Sequence, residues 1–253
     1  NCYMSGNSKG MIIFNAAGVF SDSNVIINNK FISNTFYGLG LTRASNNVVT
    51  GNTFNYNQYG FSLITTCLYN QISDNTANSN SYYGMHIRSS SNYNNITVNT
   101  CSLNTKNGIY LETSNNYNRI NNNIILSNSE SGLYLYSSSN NEISYNIICY
   151  NSYYGISLSS NSHYNLIQGN SINNNNYSGI LFSTASNNYL SQNDIKENGQ
   201  YQISIYGSTS ADTLFNNNIK TSSTNPDSNI WNASTSGNNL DFRYNYWNTL
   251  DSA

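Results

Sequence analysis

The sequence predicts an all-β chain: a single-stranded right-handed parallel β-helix, with three short parallel sheets and asparagine ladders at its corners. Three observations point to this solenoid of about ten coils of 23 or 24 residues. The pattern Asn-x-(Ile/Val/Leu)-x-x-Asn begins at Asn24, Asn47, Asn70, Asn94, Asn118, Asn141, Asn165 and Asn188, in steps of 23, 23, 24, 24, 23, 24 and 23. Each copy carries apolar residues at the same places. The chain holds 54 Asn and 23 Tyr against one Pro, and Pro would remove a ladder hydrogen bond wherever it fell in a sheet. A fixed period in the 20–50-residue range is the mark of a repeat architecture.

The first strand of each coil carries Ile26, Val49, Ile72, Ile96, Ile120, Ile143, Ile167, Leu190 and Leu214. The ninth copy opens with Asp212 in place of Asn, and keeps Leu214 and Asn217. A second strand follows around Phe31, Phe54, Ala77, Cys101, Ile125, Ile148, Ile172, Ile195 and Ile219. A third Asn, from Asn34 to Asn198, precedes a Gly and an apolar-x-apolar strand: GLGL at 38, GFSL at 60, GMHI at 84, GIYL at 108, GLYL at 132, GISL at 155 and GILF at 179. The next copy keeps Ile203 and Ile205 but has Gln202 where Gly belongs. Residues two apart point to one side of a strand, so each strand turns one row inward. Strand, corner, strand, corner, strand makes one coil, and coils stack at the ~4.8 Å strand spacing.

Asn suits the corners because it tolerates the left-handed backbone region and because its amide can bond the same amide one coil above and below. Gly before the third strand is expected to supply another unusual backbone angle. Right-handedness follows from the general bias of parallel crossovers. Residues 1–222 are read as the β-helix, regular from 24, and 223–253, with Pro226 and an aromatic cluster, as an irregular closing cap. Such caps protect the open edges of a stacked sheet. The opening NCYMSGNSKG lacks a signal peptide, which suggests a mature protein or an excised segment.

Charged residues make up 8% of the chain and the formal net charge is −2, so nothing attracts nucleic acid or anionic lipid. No apolar run approaches the ~18 residues of a membrane span. The four Cys have no CxxC spacing, and Cys101 occupies a core position; the pairing state of Cys2, Cys67 and Cys149 stays open. No Asp cluster has the form of a calcium site. No metal, cofactor or catalytic residue is assigned.

The repeated N-x-I-x-x-N-x-x-x-x-N…G-I-x-L pattern resembles the right-handed parallel β-helix repeat family of NosD-like proteins and carbohydrate-binding and sugar-hydrolase domains. The resemblance covers roughly residues 10–222. Asn245-Tyr246-Trp247 is similar to the NYW stretch that often ends NosD-like surface proteins, although the acidic, Gly-rich tail found there is missing. The resemblance implies an extracytoplasmic location and sugar contact. It brings no catalytic motif with it.

One cluster stands out. The outward places of the third strand on three successive coils are His86 and Arg88, Tyr110 and Glu112, Tyr134 and Tyr136. Such a patch, expected to face solvent, combines phenols that stack on sugar faces with groups that bond hydroxyls. The bland alternative is that exposed strands favour Tyr and that Arg88 and Glu112 form a cross-strand ion pair. Tyr37, Tyr59, Tyr83, Tyr154 and Tyr201 precede the Gly place and are expected to form exposed stacks along a corner. Thr53, Thr76 and Thr100 form a short column. Arg119 with Glu142, and Lys106 with Glu130, are expected as surface ion pairs. His163 is expected in a solvated turn. Asn95, Asn176 and Asn232 lie in glycosylation sequons.

Function is therefore expected to be that of an exported, cell-surface β-solenoid with a structural or adhesive role and no catalysis. A carbohydrate-binding or polysaccharide-modifying (lyase- or epimerase-like) β-helix, or a self-assembling filament or sheath subunit, are the alternatives. Partners on these readings are a glycan or further copies of the chain.

Overall fold

The computed structural model describes residues 2–15, 22–221, 229–235 and 241–248. Among these residues there is no helix, and each strand pair is parallel and in register with the next coil. The first sheet has nine strands, from Val25–Ile27 to Thr213–Phe215. The third has ten, from Lys9–Phe14 to Ile230–Ser234. The second has a seven-stranded part beginning at Thr100–Ser102 and a two-stranded part at its start. Single bridges Lys30–Thr53–Thr76–Thr100 join the two parts, so the short Thr column is the narrow stretch of this sheet.

The expected columns superimpose. Ile72 lies opposite Ile96, and Ile96 opposite Ile120; all three are fully buried. The second-sheet column narrows from Phe31 and Phe54 to Ala77 and Cys101, all fully buried in one continuous core. Phe61 of the third sheet packs against Phe54, with ring centroids 5.7 Å apart. Each such buried side chain contributes ~1.5–3 kcal/mol.

The ladders are three, one per corner. Asn99 is a representative rung. Its backbone N–H and its Nδ2 both donate to Asn123 Oδ1, at 2.9 and 3.0 Å. Its Nδ2 also donates to Ile72 O at 2.9 Å. Its own Oδ1 accepts two bonds from Asn75. Every polar atom of a fully buried amide is therefore used, which is what burial demands.

The Asn reading needs one correction. The ladder Asn residues are not the left-handed residues; the residue just before each of them is. Val98 (φ 56°), Leu103 (φ 59°), Tyr117 (φ 58°) and Glu197 (φ 53°) all precede a rung. These are types that seldom enter that region, at a cost of ~1–2 kcal/mol each. The rung following each strained residue offsets that cost with up to three hydrogen bonds.

The Gly reading also changes. The Gly before the third strand has no positive φ in any regular coil. It is small because the next coil comes close. A Cβ at Gly84 would stand 2.6 Å from Gly108 O and 2.8 Å from Asn104 Nδ2. Gln202 replaces Gly in the coil after Asn198, the last rung of this ladder among the described residues. Its own Oε1 accepts from Asn198 N and Nδ2, at 3.3 and 2.8 Å, and ends that ladder.

The other ladders end on acceptors too. Asn217 N and Nδ2 both donate to Asn245 Oδ1 at 2.9 Å, so the second ladder runs on past 222. Asn188 N and Nδ2 donate to Asp212 Oδ1, at 2.7 and 3.1 Å. Within the segment expected to cap the chain, Ile230–Ser234 pairs with the third sheet and Tyr246–Asn248 with the second. Pro226 lies outside the described residues. A fourth, mixed column lies after the third strand, where Ser91 N donates to Asn115 Oδ1 at 2.9 Å and Ser138 N to Ser162 Oγ at 3.1 Å.

Two outcomes follow. Asn99→Ala would leave Asn75 N without its acceptor in the interior, at ~1–3 kcal/mol, and would remove one bond each from Ile72 O and from Asn75 Nδ2, which keeps Val49 O at 2.8 Å. Urea unfolding should show a loss of roughly 2–4 kcal/mol, and a loss below ~1 kcal/mol would contradict the ladder's role. Asp212 is fully buried, and burial pushes its carboxyl up to about 7. The folded state therefore holds a proton that the unfolded chain, near pKa 3.9, releases. Stability from this group is complete below pH ~4 and is lost as pH rises through 7. Asp212→Asn should match the parent's unfolding free energy at pH 4 and exceed it at pH 8 by roughly 2–4 kcal/mol in urea unfolding; equal stabilities at pH 8 would refute the shift.

Candidate functional site on the third sheet

The register of the third sheet places Ser62, His86, Tyr110, Tyr134, Ser157 and Leu181 in one outward column. Ile64, Arg88, Glu112, Tyr136, Ser159 and Ser183 form the next. The six residues singled out from the sequence are therefore neighbours.

They are not all open to water, as the sequence led us to expect. His86 is 4% and Tyr110 8% exposed. Rings one coil apart lie flat on each other: Tyr59 on His86 (5.6 Å, 17°), His86 on Tyr110 (5.3 Å, 1°) and Tyr110 on Tyr134 (5.0 Å, 12°). Tyr83 closes over His86 and Tyr110 from the edge, at 4.9 and 5.0 Å. Of the tyrosines before the Gly place, expected as an exposed corner stack, Tyr59 and Tyr83 thus pack onto this cluster and Tyr37 is itself buried, while Tyr201 stacks on Trp231 at 5.4 Å. Tyr136, in contrast, stays exposed.

The expected Arg88–Glu112 ion pair gives way to a diagonal contact. Glu112 Oε2 lies 2.9 Å from His86 Nε2, while Arg88 Nη2 donates to Tyr37 Oη at 3.3 Å. Burial pushes the His86 imidazolium down to about 4; Glu112 opposes this and Arg88 adds to it. At neutral pH the ring is neutral, and the contact requires Nε2 to carry the proton and donate it. Burial first, and then nearby carboxylates, hold the Tyr83 and Tyr110 phenols above their ordinary range. A protonated phenol and a covered imidazole suit packing better than proton transfer near pH 7.

The expected surface pairs Lys106–Glu130 (3.6 Å) and Arg119–Glu142 (3.0 Å) are formed. His163 is half-buried rather than solvated, and its Nδ1 accepts from Ser186 N at 2.8 Å. Of the sequon residues, Asn176 and Asn232 are exposed. Asn95 is half-buried, and its Nδ2 donates to Gln71 Oε1 at 3.0 Å. The four Cys are free thiols, and Cys101 is fully buried.

Sequence reasoning missed what lies beside the ring stack. Past Tyr134 and Tyr136 the outward columns drop to Ser157, Ser159 and Ser183, and an open cleft of about 350 Å³ appears there. Leu181 also lines it. Tyr134 forms one side, with its Oη 2.8 Å from Ser159 Oγ. Tyr154 and Tyr153 form the other, and the exposed Tyr153 ring stacks on Tyr177 at 5.1 Å. Glu130 sits at the rim, accepting from Asn107 Nδ2 at 3.1 Å and paired with Lys106. The signal was present in the repeat: GISL and GILF put Ser and Leu where GMHI, GIYL and GLYL put His and Tyr.

Two family models match the chain. "Right handed beta helix region" covers residues 1–103 and "Periplasmic copper-binding protein (NosD)" covers residues 99–252. A search of curated proteins gave no match. Among solved structures, a double mutant of the periplasmic alginate epimerase AlgG aligns with TM-score 0.72 and 16% identity, over 97% of this chain and 70% of that one. The A-module of the Azotobacter vinelandii mannuronan C-5 epimerase AlgE4 aligns with TM-score 0.63 and 15% identity, over 97% and 81%. The catalytic domain of a GH87 α-1,3-glucanase aligns with TM-score 0.64 and 12% identity, over 94% and 64%. Likeness at these identities shows the fold alone.

The copper in the family description does not fit the side chains described. No three His, Cys, Asp or Glu residues come together among the described residues. The thiols of Cys67 and Cys101 are in the apolar core, and His86 is held by Glu112. Copper sites draw on imidazole, thiolate and thioether donors that converge on one point. The repeat, the ladders and the span of the match establish that the chain belongs to the NosD family of right-handed parallel β-helix proteins.

Proposed function

We propose that this protein is an extracytoplasmic carbohydrate-binding β-helix that holds a polysaccharide segment in the cleft beside Tyr134 without altering it chemically. The observation that carries this reading is the cleft: aromatic sides, a floor of serines and one aliphatic residue, open along a rigid sheet. Aromatic faces cover the C–H faces of sugar rings, and hydroxyls and amides bond their substituents. The neighbouring folds are named for alginate, mannuronan and α-1,3-glucan, which supports a polysaccharide ligand. The location rests on the word periplasmic in the family description and in the epimerase name. No helix among the described residues is long and apolar enough to cross a membrane.

Binding without catalysis is favoured by the lining itself. Glycoside hydrolysis ordinarily uses two carboxyl groups facing each other across the bond, and the cleft is lined by one, Glu130. The role of a structural or adhesive module, expected from the uniform coils, becomes on this reading the rigidity that presents the cleft.

A glycan array tests the proposal. The parent chain should bind at least one polysaccharide, and Tyr153→Ala and Tyr134→Ala should each weaken that binding roughly tenfold. Tyr69→Ala, at the exposed corner before the first sheet, should leave it unchanged. Binding indifferent to both cleft substitutions, with circular dichroism intact, would place the ligand elsewhere.

A further inference from the structure

We propose, resting on the carbohydrate reading, that the ligand class of this cleft is an uncharged, hydroxyl-rich polysaccharide and that uronate polymers are excluded. The argument is one of charge. The lining consists of serine hydroxyls, phenols, the Asn107 amide, Leu181 and a single charged group, the Glu130 carboxylate. No Lys or Arg lines it. Each ring of a uronate polymer brings a carboxylate, and a carboxylate taken from water into a partly closed site needs a cation or several donors to replace its hydration.

The cation beside the cleft is already committed. Lys106 Nζ lies 3.6 Å from Glu130 and 5.2 Å from the Tyr82 ring centroid. Arg88 points the other way, toward Tyr37. An entering carboxylate would therefore meet Glu130, a like charge, without a free partner. Neutral hydroxyls meet a better match. Ser157, Ser159 and Ser183 both donate and accept. Tyr134 and Tyr153 offer ring surface, and Leu181 an apolar floor. The fold is thus shared with proteins named for alginate and mannuronan, while the chemistry of the lining differs from what those anionic chains require.

Affinity electrophoresis and calorimetry with the intact chain test this, using galactomannan and dextran as neutral probes, alginate and polygalacturonate as anionic ones, and chitosan as a cationic one. The expected result is retardation by a neutral polymer, at least tenfold weaker response to both uronates, and a neutral-polymer Kd that moves less than twofold between 20 mM and 500 mM salt. Equal or stronger binding of a uronate, or binding of chitosan alone, would overturn the inference and leave the carbohydrate reading standing. Binding of no polysaccharide on this panel or on the array would overturn both. Ser159→Arg, which adds a cation to the cleft floor, should gain alginate retardation at low salt. A folded variant with no such gain would show that charge is not what excludes uronates.

Discussion

The constraint on which the rest of the structure depends is the saturation of buried amides at the corners. A solenoid corner must take backbone polar groups out of water at a bend where no sheet partner lies opposite them. An asparagine turned inward satisfies those groups and its own amide, by repeating the same bonds one coil later. The solution works only if every coil agrees with its neighbours. A rung without a partner leaves donors and an acceptor stranded, so coil length is held to 23 or 24 residues from Asn24 to Asn188. Among the described residues the last rungs give way to different chemistry: Asp212, Asn245 and Gln202 each accept from the preceding Asn of a column.

Two features follow from this and are misread when positions are taken singly. The strained left-handed residue is placed before the rung, so that it turns the chain and the Asn side chain enters the interior. Its own side chain is thrown outward, which is why Tyr56, Tyr145 and Tyr164 can occupy a conformation they would otherwise avoid and still be well exposed. The Gly column exists because the third ladder passes directly beside it. Gly84 is small for the sake of Asn104, whereas Gln202 itself accepts from Asn198, the last rung of this ladder among the described residues.

Much of the fold was legible because its cause is periodic. A spacing of two within strands and of two dozen between coils encodes which side chains meet, and the columns through Ile72, Ile96 and Ile120 obey it. Handedness, the role of Gly and the position of the strained residue were not legible in the same way, since they depend on backbone angles and close contacts that letters do not carry. The site was half legible. Register alone puts His86, Tyr110 and Tyr134 together. It does not say that Tyr59 and Tyr83, one column over, fold across them and remove His86 from water. Nor does it separate a row of large residues from the hollow beside it, unless sizes are compared down the column.

That comparison is where function enters a fold that otherwise repeats itself. Identical coils make a featureless wall, and a ligand finds nothing to hold on it. On this chain the wall acquires relief from a change of residue size within one column, from Tyr134 to Ser157, while the ladders behind it continue unbroken through Asn128, Asn151 and Asn175. Shape on the outside can therefore vary freely as long as the inward rows and rungs stay fixed. The same independence explains how one scaffold accommodates proteins named as epimerases and a glucanase at 12–16% identity. The inward pattern identifies the fold, and only the outward columns, read for size and charge together, distinguish one surface from another.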